Sequence, residues 1–231
     1  MKKGHWAVFV ILLVLLIDQA SKIYIKTHYG YYDGFNIFGL KWARIYFVEN
    51  EGMAYGMKLG GDYGKLILSL FRILMLAVLI YLLIKLIKSG EKLSLIISFS
   101  LIIAGALGNI IDSAFYGMIF SETPQYHQGV AEIFPEGGGY AGFLHGKVVD
   151  MLYFPIIDTV LPEWVPFWGG QRFVFFQPVF NIADSAITIG VISLLLFNRN
   201  FFTSKKKENQ EKENQEKEND ATPTLSSETG K

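Results

Sequence analysis

The chain has 231 residues, 51% of them hydrophobic, and equal numbers of basic and acidic residues, 21 of each. Balanced charge offers no basic bulk to a nucleic acid, no Gly-rich phosphate loop is present, and the lack of cysteine removes disulfides, thiolate nucleophiles and Cys-type zinc sites. His5, His28, His127 and His145 form no metal-ligand spacing, so neither a metal nor any other cofactor is expected.

Lys2 and Lys3 precede an apolar run from Trp6 to Ile25. Its outline is that of a signal peptide. However, Asp18-Gln19-Ala20-Ser21-Lys22 carries no clear A-x-A cleavage signature and apolar residues resume after it, so a retained helix is expected. Runs at Leu66 to Ile87, Leu93 to Ile111 and Phe180 to Phe197 also approach the roughly 20 residues needed to cross a hydrocarbon core. Ile73 to Ile84 and Leu95 to Ile103 are apolar nearly all round, where a helix of a soluble protein would show a polar face. The expected fold is integral membrane and α-helical, with four transmembrane helices in one domain over residues 1–200.

Basic residues set the expected orientation. Lys2 and Lys3, then Lys85, Lys88 and Lys92, then Arg199 and Lys205 to Lys207 mark three cytoplasmic places, which puts both termini inside. Two long connections, about 28–64 and 117–178, then lie outside. In the first, Phe35 to Leu40 and Ile45 to Val48 favour a small extracytoplasmic β-element. The second is long and aromatic-rich, with Tyr153, Phe154, Trp164, Phe167, Trp168, Phe173, Phe175 and Phe176. Interfacial anchoring and a lipid-binding wall explain it equally well. The tail over 201–231 repeats Glu-Asn-Gln-Glu-Lys from Glu208 to Lys217, has no apolar stripe to bury, and is expected to be disordered.

With that topology the polar groups of the spans converge on one outer layer. Asp18 and Lys22 share a face of the first helix at i,i+4, the acid N-terminal as an ion pair prefers. Gly105, Asn109 and Asp112 share a face near the outer end of the third helix, and Asn181 and Asp184 open the fourth. Asn50 and Gly52 precede the second helix, and Asp150 comes shortly before Pro155. Taken singly, Asn109, Asn181, Gly105 and Gly108 have a packing explanation. Asp112, Asp150 and Asp184 together are too costly inside a membrane to be incidental. Asp33, Asp62 and Asp158 read as solvated loop acids.

The ordered segments Asp18 to Lys22, Asn50 to Tyr55, Gly105 to Asp112, Val148 to Asp150 and Phe180 to Ser185 resemble those of the lipoprotein signal peptidase (signal peptidase II) family, over about Trp6 to Phe197. The resemblance implies a bacterial inner-membrane aspartic endopeptidase, with its active site near the outer leaflet. It would cleave diacylglyceryl-modified prolipoproteins immediately before the lipidated cysteine, as a monomer in contact with membrane lipid. Its catalytic aspartates fall on Asp150 and Asp184. Asp18, Lys22, Asn50, Gly52, Gly105, Asn109, Asp112, Asn181 and Ala183 match positions that support or line the site.

Two departures stand out. The Arg that usually follows the third-helix aspartate is Ser113 here, and the second outer loop carries extra sequence around Glu122 to Gly142 and Ile156 to Gln171. Arg72, at matching depth on the second helix, is a candidate replacement guanidinium. Rival readings are a Ser/Lys protease, with Lys22 as base and Ser21, Ser113 or Ser185 as nucleophile, and a proton-coupled transporter using Asp18, Lys22, Asp112 and Asp184 as a relay. Against the second, the inner helix halves are nearly apolar and no inverted repeat is visible. A non-catalytic lipoprotein-binding relative would look almost identical in sequence.

Overall fold

The structure, a computed structural model, describes residues 2–51, 61–124 and 129–198. Gly52, the motif residues after it, and the tail over 201–231 lie outside the described residues.

In a bilayer each backbone polar group must find its partner within its own segment, so apolar runs of this length fold as helices. Helices α1 (Lys3–His28), α2 (Gly61–Lys88) and α3 (Leu93–Ile111) follow. Among the described residues, three helical stretches, with that of α3 running on to Ile119, are long and apolar enough to cross a membrane. The faces of α1 and α2 turned away from the bundle expose Leu12, Leu16, Ile67, Leu74 and Tyr81, a surface suited to lipid and not to water. The last helix, Ile182–Phe197, has 16 residues and so spans only about 24 Å; it is a fourth, shorter apolar helix.

α3 is the central helix and packs against α1, α2 and the last helix. Its inner face buries Leu95, Ile96, Phe99 and Ile103 with Ala7 of α1 and Leu76, Leu83 and Leu86 of α2. Small residues set how closely it meets the last helix. A Cβ on Gly105 would run into the backbone oxygen of Ala183, and one on Gly190 would lie 2.8 Å from the Ser98 carbonyl oxygen. Beyond Ile111 the helix widens into a π-helical turn, Asp112–Tyr116, before a last α-helical turn, α4 (Gly117–Ile119). Such local widening is frequent at functional sites.

At one end of the bundle the Lys3 ammonium donates to the Gly90 and Glu91 carbonyls, both at 2.7 Å, and Ser94 donates to Asn198 Oδ1 at 3.1 Å. The start of α1, the α2–α3 link and the end of the last helix therefore share one side, as the basic residues suggested.

The opposite end carries an antiparallel sheet in the order β1-β2-β3-β6, from β1 (Gly34–Asn36), β2 (Arg44–Asn50), β3 (Val148–Tyr153) and β6 (Val179–Phe180). Phe47, Val149 and Met151 from this sheet form a second core with Ile25, Tyr116 and Phe120, which seats the sheet on the ends of α1 and α3. The first strand is shorter than expected: it stops at Asn36, where a 3-10 turn over Ile37–Gly39 begins, with Phe38 at φ 51°. The second is longer. The aromatic connection also holds a separate hairpin, β4 (Ile157–Val160) with β5 (Arg172–Phe175), before α5 (Ile182–Phe197) begins.

Candidate active site

The site forms where α1, α3 and α5 meet β3. Asp18 and Lys22, one turn apart on α1, are both fully buried, and so is Asp112 at the junction of α3 with its π-helical turn. Lys22 Nζ lies 2.8 Å from Asp18 Oδ2, 2.7 Å from Asp112 Oδ2 and 3.0 Å from Asn109 Oδ1. An ammonium has three protons, and all three are placed. A buried charge is tolerable only when paired and hydrogen-bonded to this degree.

Each carboxylate of this cluster also fixes a neighbouring element. Asp18 Oδ1 accepts from the Ala183 backbone N–H at 2.8 Å, one of the orphan donors in the first turn of α5. Asp112 Oδ2 accepts from the Val149 backbone N–H at 3.4 Å, which ties β3 to the end of α3. A Cβ on Gly108 would sit 2.6 Å from Asp18 Oδ2, so a side chain there would displace this carboxylate from its partners.

Asn181 joins this cluster to the proposed pair. It caps α5, accepting from the Asp184 N–H at 2.9 Å, while Asp184 Oδ2 accepts from the Asn181 N–H at 3.4 Å, a reciprocal capping box. The Asn181 amide nitrogen donates to Asp150 Oδ1 at 2.8 Å and to Asn109 Oδ1 at 3.1 Å. A single residue thus bridges Asp150 and Asp184. Asn109 Nδ2 donates to Asp184 Oδ1 at 2.8 Å, and Asn50 Nδ2 donates to Asp150 Oδ2 at 3.2 Å. Asp150 reaches this place on β3, where it stands opposite Val48 of β2. Burial pushes its carboxyl up to about 7, with the charge of Asp184 adding to the effect and the amides of Asn50 and Asn181 opposing it.

Of the sequence-predicted residues, Asp18, Lys22, Asn50, Gly105, Asn109, Asp112, Asp150, Asn181, Ala183 and Asp184 are brought together. Asp33 accepts from the Gly34 N–H at the surface and Asp158 pairs with Arg172, both away from the cluster. The serines of the Ser/Lys reading are turned inward on their own helices. Ser21, Ser113 and Ser185 donate to the carbonyls of Asp18, Asn109 and Asn181 at 2.8, 3.0 and 2.9 Å, while Lys22 is held by two carboxylates.

Arg72 lies on the inward stripe of α2 with Ser69 and Leu76. Ser69 donates to the Leu144 carbonyl oxygen at 3.1 Å, and Arg72 is within electrostatic reach of Asp184, Asp112 and Asp150.

Sequence reasoning gave no role to Gln19, which donates to Asp18 at 3.0 Å and Asp112 at 2.9 Å and accepts from Tyr116 OH at 3.1 Å. It also missed a second buried pair, Lys26 with Glu49, joined by Thr123 and overlaid by the Phe120 and Tyr140 rings. The signal was present in the i,i+4,i+8 series Asp18, Lys22, Lys26.

A buried network of carboxylates, amides and one lysine at the sheet-bearing end of a membrane-spanning bundle defines an integral membrane protein with an aspartate-based site. Residues 10–199 match the family model described as signal peptidase (SPase) II. A lipoprotein signal peptidase of Porphyromonas gingivalis is 51% identical over 195 residues, 84% of this chain and 83% of the relative. That of Amoebophilus asiaticus is 34% identical over 203 residues, 86% of this chain and 80% of the relative. Two solved structures, each described as a bacterial membrane enzyme, are similar in fold, with TM-scores of 0.57 and 0.53 at 24% and 26% identity. They cover 87% and 83% of this chain and are themselves covered to 92% and 91%. The chain belongs to the signal peptidase II family.

Proposed function

We propose that Asp150 and Asp184 are the catalytic dyad with which this signal peptidase II family member, a multi-pass protein of the bacterial inner membrane, cleaves signal peptides from prolipoproteins. The observation that carries the assignment is the Asn181 bridge: one capped helix start holds both carboxylates, and each has a further amide donor, Asn109 for Asp184 and Asn50 for Asp150.

Two neighbouring carboxylates do not both ionise readily, so the pair holds one proton over part of the pH range. The shared proton belongs to the pair. The ionised member takes a proton from water as the oxygen attacks the scissile carbonyl. The protonated member polarises that carbonyl, and the proton needed by the leaving amine comes from the pair. Asp18, Lys22 and Asp112 keep the frame rigid.

The site faces the outer leaflet, with both termini cytoplasmic. This orientation is supported by the basic residues at the end shared by the start of α1, the α2–α3 link and the end of α5. The signal peptide's apolar segment lies between helices while the diacylglyceryl chains of the modified cysteine stay in lipid, which brings the bond before that cysteine to the pair. The enzyme acts as a monomer.

The test is cleavage of a purified diacylglyceryl-modified prolipoprotein by wild type and by folded Asp150→Asn and Asp184→Asn variants. Both variants are expected to lose cleavage. Wild-type rates in either one would refute the dyad, and an inactive wild type would favour a binding protein.

A further inference from the structure

The hairpin β4–β5 takes no part in the site, and its tip is built in an unusual way. Phe167 is 93% exposed, Trp164 81% and Trp168 63%. From Pro162 to Gln171 the only charged residue is Glu163. These rings stand on an ordered turn: Leu161 N–H donates to the Gln171 oxygen at 2.9 Å, Gly170 N–H returns to Leu161 at 2.9 Å, and Gly169 N–H donates to Val165 at 3.0 Å. Gly170, at φ +74°, takes a conformation that a side chain would strain. At the base, Arg172 grips Asp158 with two nitrogens at 2.8 and 2.7 Å. Three large rings are thus held out by a rigid support, at a cost that water alone does not offset.

The hairpin's position narrows what covers it. Asp158 is within electrostatic reach of Arg44, and Arg172 of Tyr153, residues that face each other across β2 and β3. From that end of the sheet a row of aromatic contacts, Trp42 to Phe154, Phe154 to Phe180 and Phe180 to Phe176, leads to the residue before the α5 cap. α5, an apolar helix, begins directly after Asn181. The finger is therefore continuous with the level at which the helices leave the hydrocarbon, where Trp and other amphipathic rings are enriched.

We propose that the β4–β5 hairpin is a membrane-docking finger, whose Trp164, Phe167 and Trp168 insert at the headgroup–acyl boundary of the leaflet that meets the sheet-bearing end of the bundle. Its partner is the lipid surface. The inference rests on the membrane-spanning fold and is independent of the aspartate dyad.

The chain has four tryptophans, so Trp6→Phe with Trp42→Phe leaves only the two at the finger's tip to emit. The full-length double variant, shown to unfold at the wild-type temperature, is placed in nanodiscs of phosphatidylcholine and phosphatidylglycerol. Lipids brominated near the headgroup are expected to quench its emission by about half, more than lipids brominated at the chain ends, with acrylamide having little effect. Full acrylamide quenching without bromine quenching would put the finger in water and overturn the proposal. Protection from both quenchers would overturn it in favour of a protein contact, with a second copy or with another part of this chain.

Discussion

Asn109 stands between Lys22 and Asp184, its carbonyl oxygen accepting from the ammonium at 3.0 Å and its amide nitrogen donating to Asp184 Oδ1 at 2.8 Å. A lysine can only donate and an ionised carboxylate can only accept, so the two flanking charges dictate which way the amide points. Lys22 touches neither proposed catalytic carboxylate, yet it sets the donor presented to Asp184. Asn109→Ala is expected to lower kcat about 10- to 100-fold with little change in KM, as loss of an outer orienting contact does. Lys22→Met would strand Asp18 and Asp112 without their cation and is expected to cost about 3–5 kcal/mol of stability. Steady-state cleavage kinetics and thermal unfolding in detergent separate the two effects.

The pH dependence follows from Asp150. Burial and the charge of Asp184 raise its carboxyl to about 7, so the folded protein holds this proton more tightly than the unfolded chain does. For a carboxyl raised in this way, stability is greatest below the unfolded value of roughly 4 and falls as pH rises toward 7, above which the penalty is complete. Cleavage that needs the proton held by the pair is expected to decline above about pH 7. Asp150→Asn removes the buried charge, so it is expected to lose activity and yet gain thermal stability at pH 8 by about 2–4 °C or more, a gain that shrinks as pH falls toward 4. Melting curves of the two proteins across this range check the sign.

The sequence made parts of this arrangement readable and hid others for physical reasons. Asn181 and Asp184 were legible as two polar residues three positions apart at the head of an apolar run, a local pattern, though Asn181 stands before the helix as its cap. Asp18 and Lys22 were legible for the same reason, at i,i+4. The strand that carries Asp150 was not, since Val48 and Asp150 meet through pairing across about a hundred residues, and nothing local in Val148 to Tyr153 announces that partner. Gly105 was read as a position supporting the site, with helix packing as the alternative, and its missing Cβ lets α3 approach the Ala183 backbone. Gly108 makes room for Asp18 in the same way.

Arg72 carries a prediction of its own. The Ser113 side chain is buried and donates back to its own helix, so no cation stands beside Asp112 from that position. Lys22 is set against both Asp18 and Asp112, which leaves the region an excess of negative charge before the dyad is counted. A guanidinium on α2 within reach of Asp184, Asp112 and Asp150 offsets that excess. Arg72→Leu is expected to move the alkaline limb of the pH–rate profile up by about one unit, because a cation near a carboxyl favours its ionised form. Arg72→Lys should restore most of the profile. Full cleavage and an unmoved profile in the Leu variant would remove Arg72 from the site.

Lys26 and Glu49 give the last prediction. The two side chains are buried and joined, with Thr123 donating to the same Glu49 oxygen at 3.3 Å and Tyr31 OH donating to the Glu49 carbonyl at 3.2 Å. Glu49 directly precedes Asn50, the residue that donates to Asp150, so this pair fastens to α1 the strand end from which Asn50 reaches the site. Lys26→Met leaves buried Glu49 only the more distant Lys147 ammonium, 3.9 Å from its other oxygen, and is expected to destabilise by somewhat less than the roughly 3–5 kcal/mol of a fully broken buried pair. The double variant Lys26→Met with Glu49→Leu removes both charges and should recover most of that loss, since an apolar replacement of a buried pair is often close to neutral. If the pair's role is to hold Asn50, the recovered double variant will still show reduced kcat, matching Asn50→Ala. Wild-type kcat in a stable double variant would reduce the pair to a structural fastening between helix and sheet.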